Sequence, residues 1–474
     1  MRKHYVEGKW VEALSGRTLA LQDPATGDIL DHLPFGDARD YIRAVETARL
    51  AGNDWSRRTP HARAEILKAT AALIRERLEA IAHDMVLESG KPLAEAKAET
   101  AVAANFFEWF AEEGKRSYGR VIPSARSDKR MSVIWQPMGV VGAITAWNFP
   151  VYNPARCWSA ILAAGCTLVA RSSEHTPLSA MHLMQALHDA GLPPGVANFV
   201  HGEAAAAGQV FLDHPAVRKI SFTGSTAVGK QLMDGASRTH TSLALEMGGN
   251  APAVICPDVD PAVAAQECVR GKFRNAGQVC IAPQRFLVQR SQVHAFLEAA
   301  KSAILKLQLG NGLDAATQMG PLIHERHRQG VVQFIEAAVR EGAVCHCGGE
   351  ALPGPGFFLS PCLIETKPGN TFHLEEVFGP VMVVTPYDTP EEALALANGV
   401  PYGLAAYVMT RDLNQAVFFS ECLEAGIIGV NEWLPQATEA PFGGWKASGI
   451  GSEGGSEGLY EYMERKLISI GSLG

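Results

Sequence analysis

From Val140 to Leu245 the chain alternates between short apolar runs and stretches with helical periodicity. The runs are Val140–Ala146, Thr167–Ala170, Val196–Val200, Lys219–Phe222 and Leu243–Leu245. Between them lie the helical stretches Pro154–Ala164, Pro177–Ala190, Glu203–Leu212 and Thr226–Gly235. Strands spaced by helices of this length build βαβ units around a parallel sheet. A second alternating series begins beyond Pro252. Its expected strands are Ala253–Cys256, Phe286–Val288 and Val381–Thr385; its expected helices are Pro261–Asn275, Gln292–Leu305 and Glu325–Glu341. The chain therefore reads as two open α/β units. Residues from Asp37 to Gly114 are helical in pattern, with Ala48–Trp55, Ala62–Leu78 and Ala94–Phe110 on the helical period and Gly90-Lys91-Pro92 as a break. The segment Tyr118–Gln136 interrupts the first unit and has the character of an arm.

A chain of 474 residues, 47% hydrophobic and 19% charged, can bury a large core and is not intrinsically disordered. Its net charge of −8 comes from 42 basic and 50 acidic residues, with no block of like charge to attract nucleic acid or an acidic membrane. Nine cysteines are too few for a disulfide scaffold of this length. The N-terminus shows no signal-peptide pattern, and the nearly uncharged stretch Met138–Ala155 is broken by Asn148, Pro150, Asn153 and Pro154. These features predict a soluble, cytoplasmic protein with no nucleic-acid or membrane partner.

Two motifs are decoys. Gly449-Ile450-Gly451-Ser452-Glu453-Gly454 is a literal G-x-G-x-x-G, but a dinucleotide fingerprint must join a strand to a helix, and Pro441–Lys446 is no strand. Cys345-His346-Cys347, with Cys362 and His373 beyond it, lacks the spacing of a zinc site. Strand alternation predicts instead a buried face shared by Cys345 and Cys347, so no metal is expected. Cys280 differs from these, because it closes the polar turn Phe273-Arg274-Asn275-Ala276-Gly277-Gln278-Val279 where a thiol can face a cleft. Glu246 and Asn148 follow expected strands of the first unit, at the sheet edge where open α/β proteins bind ligands. Each of the three has a bland alternative when taken alone.

Together they resemble the aldehyde dehydrogenase superfamily, from about Val6 to the C-terminus. Trp147-Asn148-Phe149-Pro150 looks like its oxyanion motif. Phe222-Thr223-Gly224-Ser225-Thr226 with Gly229 is similar to its phosphate turn, and Leu245-Glu246-Met247-Gly248-Gly249-Asn250 to its general-base motif. Asn275-x-Gly277-Gln278-x-Cys280 resembles the nucleophile motif, and Glu375–Pro380 and Pro441–Gly444 complete the set in family order. The resemblance implies a Rossmann-like cofactor domain (residues 1–116 and 138–248), a catalytic domain (249–450) and a small oligomerisation arm (117–137 and 451–474). Cys280 would be the nucleophile, Glu246 the base that activates water, and Asn148 an oxyanion donor. The cofactor would be held by Thr145, Trp147, Arg171, Glu174, Gly224, Ser225, Met247, Glu376 and Phe378.

In pattern the chain looks most like NAD(P)-dependent succinate-semialdehyde dehydrogenases. Arg156 and Arg274 match arginines that grip the substrate carboxylate there, and a guanidinium suits that task. Arg171-Ser172-Ser173-Glu174 departs from the family's Lys-Pro-[Ser/Ala]-Glu run: Glu174 favours NAD, while Arg171 leaves NADP open. Cys157 and Ser452 also depart, and the loop Glu432–Ala437 lacks the family's serines; Trp433 and Tyr152 could wall a pocket for a bulkier semialdehyde. The lead substrate is an acidic aldehyde such as succinate semialdehyde. Uncharged aliphatic or aromatic aldehydes, a coenzyme-A-acylating reaction and a silent relative are the alternatives. A homodimer or homotetramer is expected, with the tail Leu459–Ser469 pairing against the arm.

Overall fold

The computed structural model describes residues 2–472 and contains two large α/β sheets. The first has eight strands in the order Lys9–Val11, His4–Val6, Ala197–Phe199, Thr167–Arg171, Val140–Ile144, Val217–Thr223, Ser242–Glu246 and Gly449–Ile450. Its inner five strands are parallel, and the strands at each side are antiparallel. Every residue of Val140–Ile144 and Thr167–Arg171 is buried, as strands covered by helices on both faces require. From Val140–Ile144 the order runs outward in both directions, so the chain reverses its direction of travel beside Val217–Thr223. A crevice opens at such a switch point, beyond the carboxyl ends of the strands.

The second sheet has seven strands: Val344–Cys347, Cys362–Glu365, Val381–Tyr387, Pro283–Gln289, Ala251–Ile255, Ala405–Met409 and Ile427–Val430. All pairings are parallel except the first. Sequence reading finds only its three central strands. The outer ones are short, and their patterns merge with the loops around them. A third sheet, antiparallel, joins Arg120–Ile122, Arg130–Pro137 and Met463–Ile470. The tail thus pairs with the interrupting segment over eight residues, from Met463↔Pro137 to Ile470↔Arg130.

Local sequence explains most of the element ends. The helix Ala38–Arg57 starts with a capping box, in which Asp37 accepts from the backbone and Asp40 returns the bond. Asp260 caps the helix Pro261–Lys272, whose first residue is a proline. That helix stops three residues earlier than its periodicity predicts, because Asn275 and Ala276 take left-handed conformations. Among the described residues no helix is long and apolar enough to cross a membrane.

Candidate active site

Site residues arrive from opposite ends of the two sheets. In the first sheet they follow carboxyl ends: Asn148 lies beyond Val140–Ile144, Ser225 beyond Val217–Thr223, and Glu246 ends its own strand. In the second sheet they precede amino ends, with Cys280 ahead of Pro283–Gln289 and Glu376 and Phe378 ahead of Val381–Tyr387. Two cavities meet where these ends face each other. One, of about 210 Å³, is lined by Phe149, Tyr152, Arg156, Arg274, Val279, Ile281, Leu434 and Phe442 among others. The other, of about 220 Å³, is lined by Trp147, Asn148, Ser225, Glu246, Met247, Glu376 and Phe378 among others. Cys280 lines both. A thiol there can meet a ligand from either side.

The turn that presents Cys280 is strained. Asn275, Ala276 and Gly277 have φ of 47°, 53° and 72° in succession. Left-handed backbone at a residue with a Cβ costs roughly 1–2 kcal/mol, so neighbouring contacts must hold it. The Asn275 side-chain amide donates to the carbonyls of Asn148 (2.9 Å) and Gln278 (3.2 Å), and its backbone N–H donates to Glu95 Oε2 (2.9 Å). Gln278 donates to the Asn275 carbonyl (3.1 Å) and accepts from the Ile323 N–H (3.0 Å). Gly277 must be glycine for a second reason, since a Cβ would stand 2.1 Å from the Gly379 carbonyl oxygen.

Asn148 is fixed from several directions. Its Oδ1 accepts from Asn153 Nδ2 (3.2 Å), which settles the orientation of the amide, and its Nδ2 donates to the Gln278 carbonyl (3.2 Å). Among the described residues no acceptor takes the second Nδ2 hydrogen, and Asn148 lines the cavity that Cys280 also lines. Behind it lies a buried ion pair that sequence reading missed. The Lys91 ammonium donates to Glu99 Oε2 (2.5 Å) and to the Asn148 carbonyl (2.9 Å), and sits 4.5 Å above the Phe149 ring. Glu99 Oε1 accepts from the N–H groups of Val151 and Tyr152 (2.9 and 3.0 Å), which otherwise have no partner at the start of the helix Tyr152–Ala164. In the sequence, Gly90-Lys91-Pro92 reads as a break, and nothing there ties Lys91 to Glu99.

Glu246 is 4% exposed. Burial pushes its carboxyl up to about 8; the Arg156 charge opposes that shift and Glu453 adds to it. The same surroundings, with Glu246 itself, push the Cys280 thiol well above its ordinary value. At neutral pH the pair therefore rests mainly in its uncharged form. Arg156 stands behind both. Its Nε lies 2.5 Å from Glu453 Oε2 in a close ion pair whose angles fall short of a hydrogen bond, and its Nη2 is 4.0 Å from Glu246 Oε2. Its guanidinium also stacks 4.2 Å from the Phe442 ring. Arg156 thus lines the first cavity with its charge already met by acids, whereas Arg274, half-buried in the same wall, forms no close ion pair among the described residues; it lies 5.7 Å from the Phe149 ring, and its charge partly offsets the burial that raises the Glu95 carboxyl. Tyr152 joins that wall and packs edge-on against Phe106 and Phe149. Trp433 does not line the cavity: it lies against Tyr407 and beneath Gly271, while Leu434, Gln436 and Ala437 of its loop form the wall.

The second cavity has the features of a dinucleotide cleft. The turn Gly224-Ser225 joins a strand to the helix Thr226–Thr239, and Ser225 caps that helix through Val228 N–H (3.4 Å). The helix start leaves N–H groups that suit a phosphate. Gly229 gives room to Met247, whose sulfur would lie 2.1 Å from a Cβ there. Glu376 lies over Gly248 and accepts from Gly249 N–H (3.2 Å). Phe378 and Trp147 meet edge to face at 5.5 Å, and His327 donates to the Phe378 carbonyl (2.6 Å), a contact the sequence did not reveal. Further along, the Thr145 hydroxyl is buried without a partner, and Thr145 N–H donates to the Arg171 carbonyl. The Arg171 guanidinium is taken up by Glu174 and the Gly202 carbonyl. Burial alone would raise the Glu174 carboxyl, but the Arg171 charge and further contacts bring it down to about 2. The decoy segment packs on the same edge, with Gly449 paired to Glu246 and Glu453 held by Arg156.

Residues 10–468 match the profile described as the Aldehyde dehydrogenase family. The chain is 42% identical to the NADP(+) succinate-semialdehyde dehydrogenase of Escherichia coli K12, covering 98% of this chain and 97% of that one. It is 41% identical to the glutarate-semialdehyde dehydrogenase of Pseudomonas aeruginosa, over 99% and 97% of the two chains. Among solved structures, the NAD+ complex of betaine aldehyde dehydrogenase from Staphylococcus aureus superposes with a TM-score of 0.98 at 35% identity, covering 100% of this chain and 96% of that one.

Lys91→Met tests the buried pair. Stranding Glu99 should destabilise the fold by roughly 3–5 kcal/mol. If the protein folds and Asn148 donates to an oxyanion, aldehyde turnover should fall by ~10²-fold, the scale of one misplaced donor. Alkylation of Cys280 by iodoacetamide should keep its rate, because that reaction needs no oxyanion donor. Unchanged kcat in a folded Lys91→Met protein removes Lys91 from the positioning of Asn148.

Proposed function

The chain belongs to the aldehyde dehydrogenase family, and from that membership we propose that it oxidises an acidic aldehyde, succinate semialdehyde or a close analogue, with NAD as oxidant and water as acyl acceptor. The observation that carries this reading is the position of Cys280 in the walls of both cavities, with Glu246 and Asn148 beside it. Cys280 attacks the aldehyde carbon as its thiol proton passes to ionised Glu246 and from there to solvent, giving the thiohemiacetal oxyanion. Charge develops on the former carbonyl oxygen, which the second Asn148 amide hydrogen and the Cys280 backbone N–H would stabilise by donating to it. One such donor contributes roughly 3 kcal/mol. When bound, the nicotinamide cofactor supplies the oxidant, taking the aldehyde hydrogen with its electron pair. Cys280 then carries a thioester. Glu246, ionised only as pH rises toward about 8, takes a proton from water, which attacks the thioester and frees the acid and the thiolate. The presence of this base supports hydrolysis over transfer to coenzyme A.

Ser225 and the helix behind it suit the pyrophosphate, and Glu376, Phe378 and Trp147 suit the nicotinamide end. NAD is favoured over NADP because Glu174 stays ionised and 37% exposed while Arg171 is committed to it. A carboxylate there accepts from a 2′-hydroxyl and repels a 2′-phosphate. For the substrate, Arg274 forms no close ion pair among the described residues, although Glu95 in the same cavity feels its charge, so it is a better anchor for a carboxylate than Arg156. Arg156, already neutralised by Glu453, acts more on the potential at Glu246 and Cys280. The arm sheet carries the exposed apolar side chains Val121, Leu467 and Ile470, 82%, 61% and 63% accessible. Their exposure in a single copy supports a homodimer or homotetramer, in which a second copy would cover them.

The discriminating assay compares succinate semialdehyde with propanal and benzaldehyde, each with NAD and with NADP. The expected outcome is a kcat/KM preference of at least ~10-fold for the semialdehyde, about 1.4 kcal/mol of transition-state discrimination. Arg274→Leu should raise KM for the semialdehyde by a similar factor and leave propanal unchanged. Equal use of the neutral aldehydes, or an Arg274→Leu protein with unchanged KM, rejects the acidic substrate and leaves the aldehyde chemistry in place.

A further inference from the structure

The hairpin Val344–Cys347 and Cys362–Glu365 holds three of the nine cysteines at the edge of the second sheet. Regular alternation would bury Cys345 and Cys347 on one face. The structure departs from this: a register shift between Cys345 and Cys347 turns Cys345 outward, where it is exposed, while Cys362 is fully buried beneath it. Their sulfurs are 3.8 Å apart, and none of the three cysteines lines either active-site cavity. His346 is turned to Glu365 (3.1 Å), so this group does not converge as a ligand set. Among the described residues no cluster suited to a metal ion is found.

The microenvironment separates the roles of the two thiols. A hydrogen bond shared with Cys362 draws the Cys345 thiol down to about 7, against the effect of partial burial. The same bond, with burial, pushes Cys362 well above its ordinary value. An exposed thiol with thiolate character beside a second, protected thiol is the arrangement in which oxidation proceeds to a disulfide rather than stopping at a single sulfur.

We propose that Cys345 and Cys362 form an oxidation site separate from the catalytic cysteine, at which a hydroperoxide converts the two thiols into a reversible disulfide. The Cys345 thiolate attacks the peroxide, breaking the O–O bond to give a sulfenic acid and, from hydrogen peroxide, one water after proton uptake. The Cys362 sulfur then attacks the sulfenic sulfur, forming the S–S bond and expelling a second water with the Cys362 proton. Two electrons pass from the sulfurs to the peroxide. The exposed edge strand can supply the remaining approach of the sulfurs. The bond would tie that edge to the strand Cys362–Glu365, whose first N–H donates to the Pro380 carbonyl at the end of the segment carrying Glu376 and Phe378.

The test uses the full-length Cys280→Ser protein, so that the catalytic thiol does not compete for oxidant. After graded hydrogen peroxide, free thiols are counted in denaturant and peptides are mapped by mass spectrometry. The expected result is the loss of two thiols per chain, a cross-linked Cys345–Cys362 peptide pair, and recovery of both thiols with dithiothreitol. Adding Cys345→Ser, at an exposed position that does not threaten folding, should abolish the cross-link and leave Cys362 reduced. Cys345 found as sulfinic or sulfonic acid beside a reduced Cys362 overturns the proposal. So does a cross-link to Cys347 or between chains.

Discussion

Two donors converge on the Asn148 carbonyl oxygen, the Lys91 ammonium from the helical layer and the Asn275 side-chain amide from the turn before Cys280. Asn148 belongs to the first sheet unit and Asn275 to the second. One carbonyl therefore ties the position of Asn148 to that of the turn carrying Cys280. The price of this arrangement is a run of left-handed residues in the Asn275–Gly277 turn and a buried ion pair at Lys91–Glu99. Neither is a stable local choice on its own. Both are held because the Asn275, Gln278 and Glu99 side chains use most of their hydrogen-bonding capacity within the same network. Strain of this kind persists only where surrounding structure over-determines it, and it tends to gather at functional sites.

The electrostatics follow from the same enclosure. Glu246 and Cys280 are kept mainly protonated by burial, and Arg156 is the one strong opposing charge close to them. Glu453 takes up much of that charge, so the guanidinium does not force Glu246 to ionise. The result is a carboxyl whose affinity for a proton lies close to neutral pH, the range in which a carboxylate could serve as a general base. In the other cavity Arg274 forms no close ion pair among the described residues; its charge acts on Glu95 at longer range and is less fully neutralised than that of Arg156. The two arginines look equivalent in sequence and differ in what surrounds them.

Much of this was legible from sequence. The alternating runs gave the two sheet units, and Cys280, Glu246 and Asn148 stand at their facing ends. What was hidden depends on distant contacts. Lys91 and Glu99 sit in ordinary helical sequence, and only the fold brings them to Asn148 and the Tyr152 helix. Glu453 lies inside the G-x-G-x-x-G decoy, whose first glycine in fact pairs with Glu246. Strand alternation buries Cys345, but a single register shift puts it at the surface. The early stop at Lys272 was equally invisible, because left-handed conformations at Asn275 and Ala276 depend on contacts made elsewhere. Trp433 was expected to wall the pocket from its place in the loop, yet Gly271 leaves room for it to turn toward Tyr407.

The central claim is that oxidation loads an acyl group onto Cys280 and that ionised Glu246 releases it. The most direct measurement quenches the enzyme during turnover of succinate semialdehyde with NAD and weighs the Cys280 peptide by mass spectrometry, well below and well above the Glu246 value of about 8. The predicted result is an acyl adduct on Cys280 that builds up in the wild type only at the lower pH, and in Glu246→Gln at both. A Glu246→Gln protein that makes acid at the wild-type rate, with no adduct on Cys280, contradicts the account.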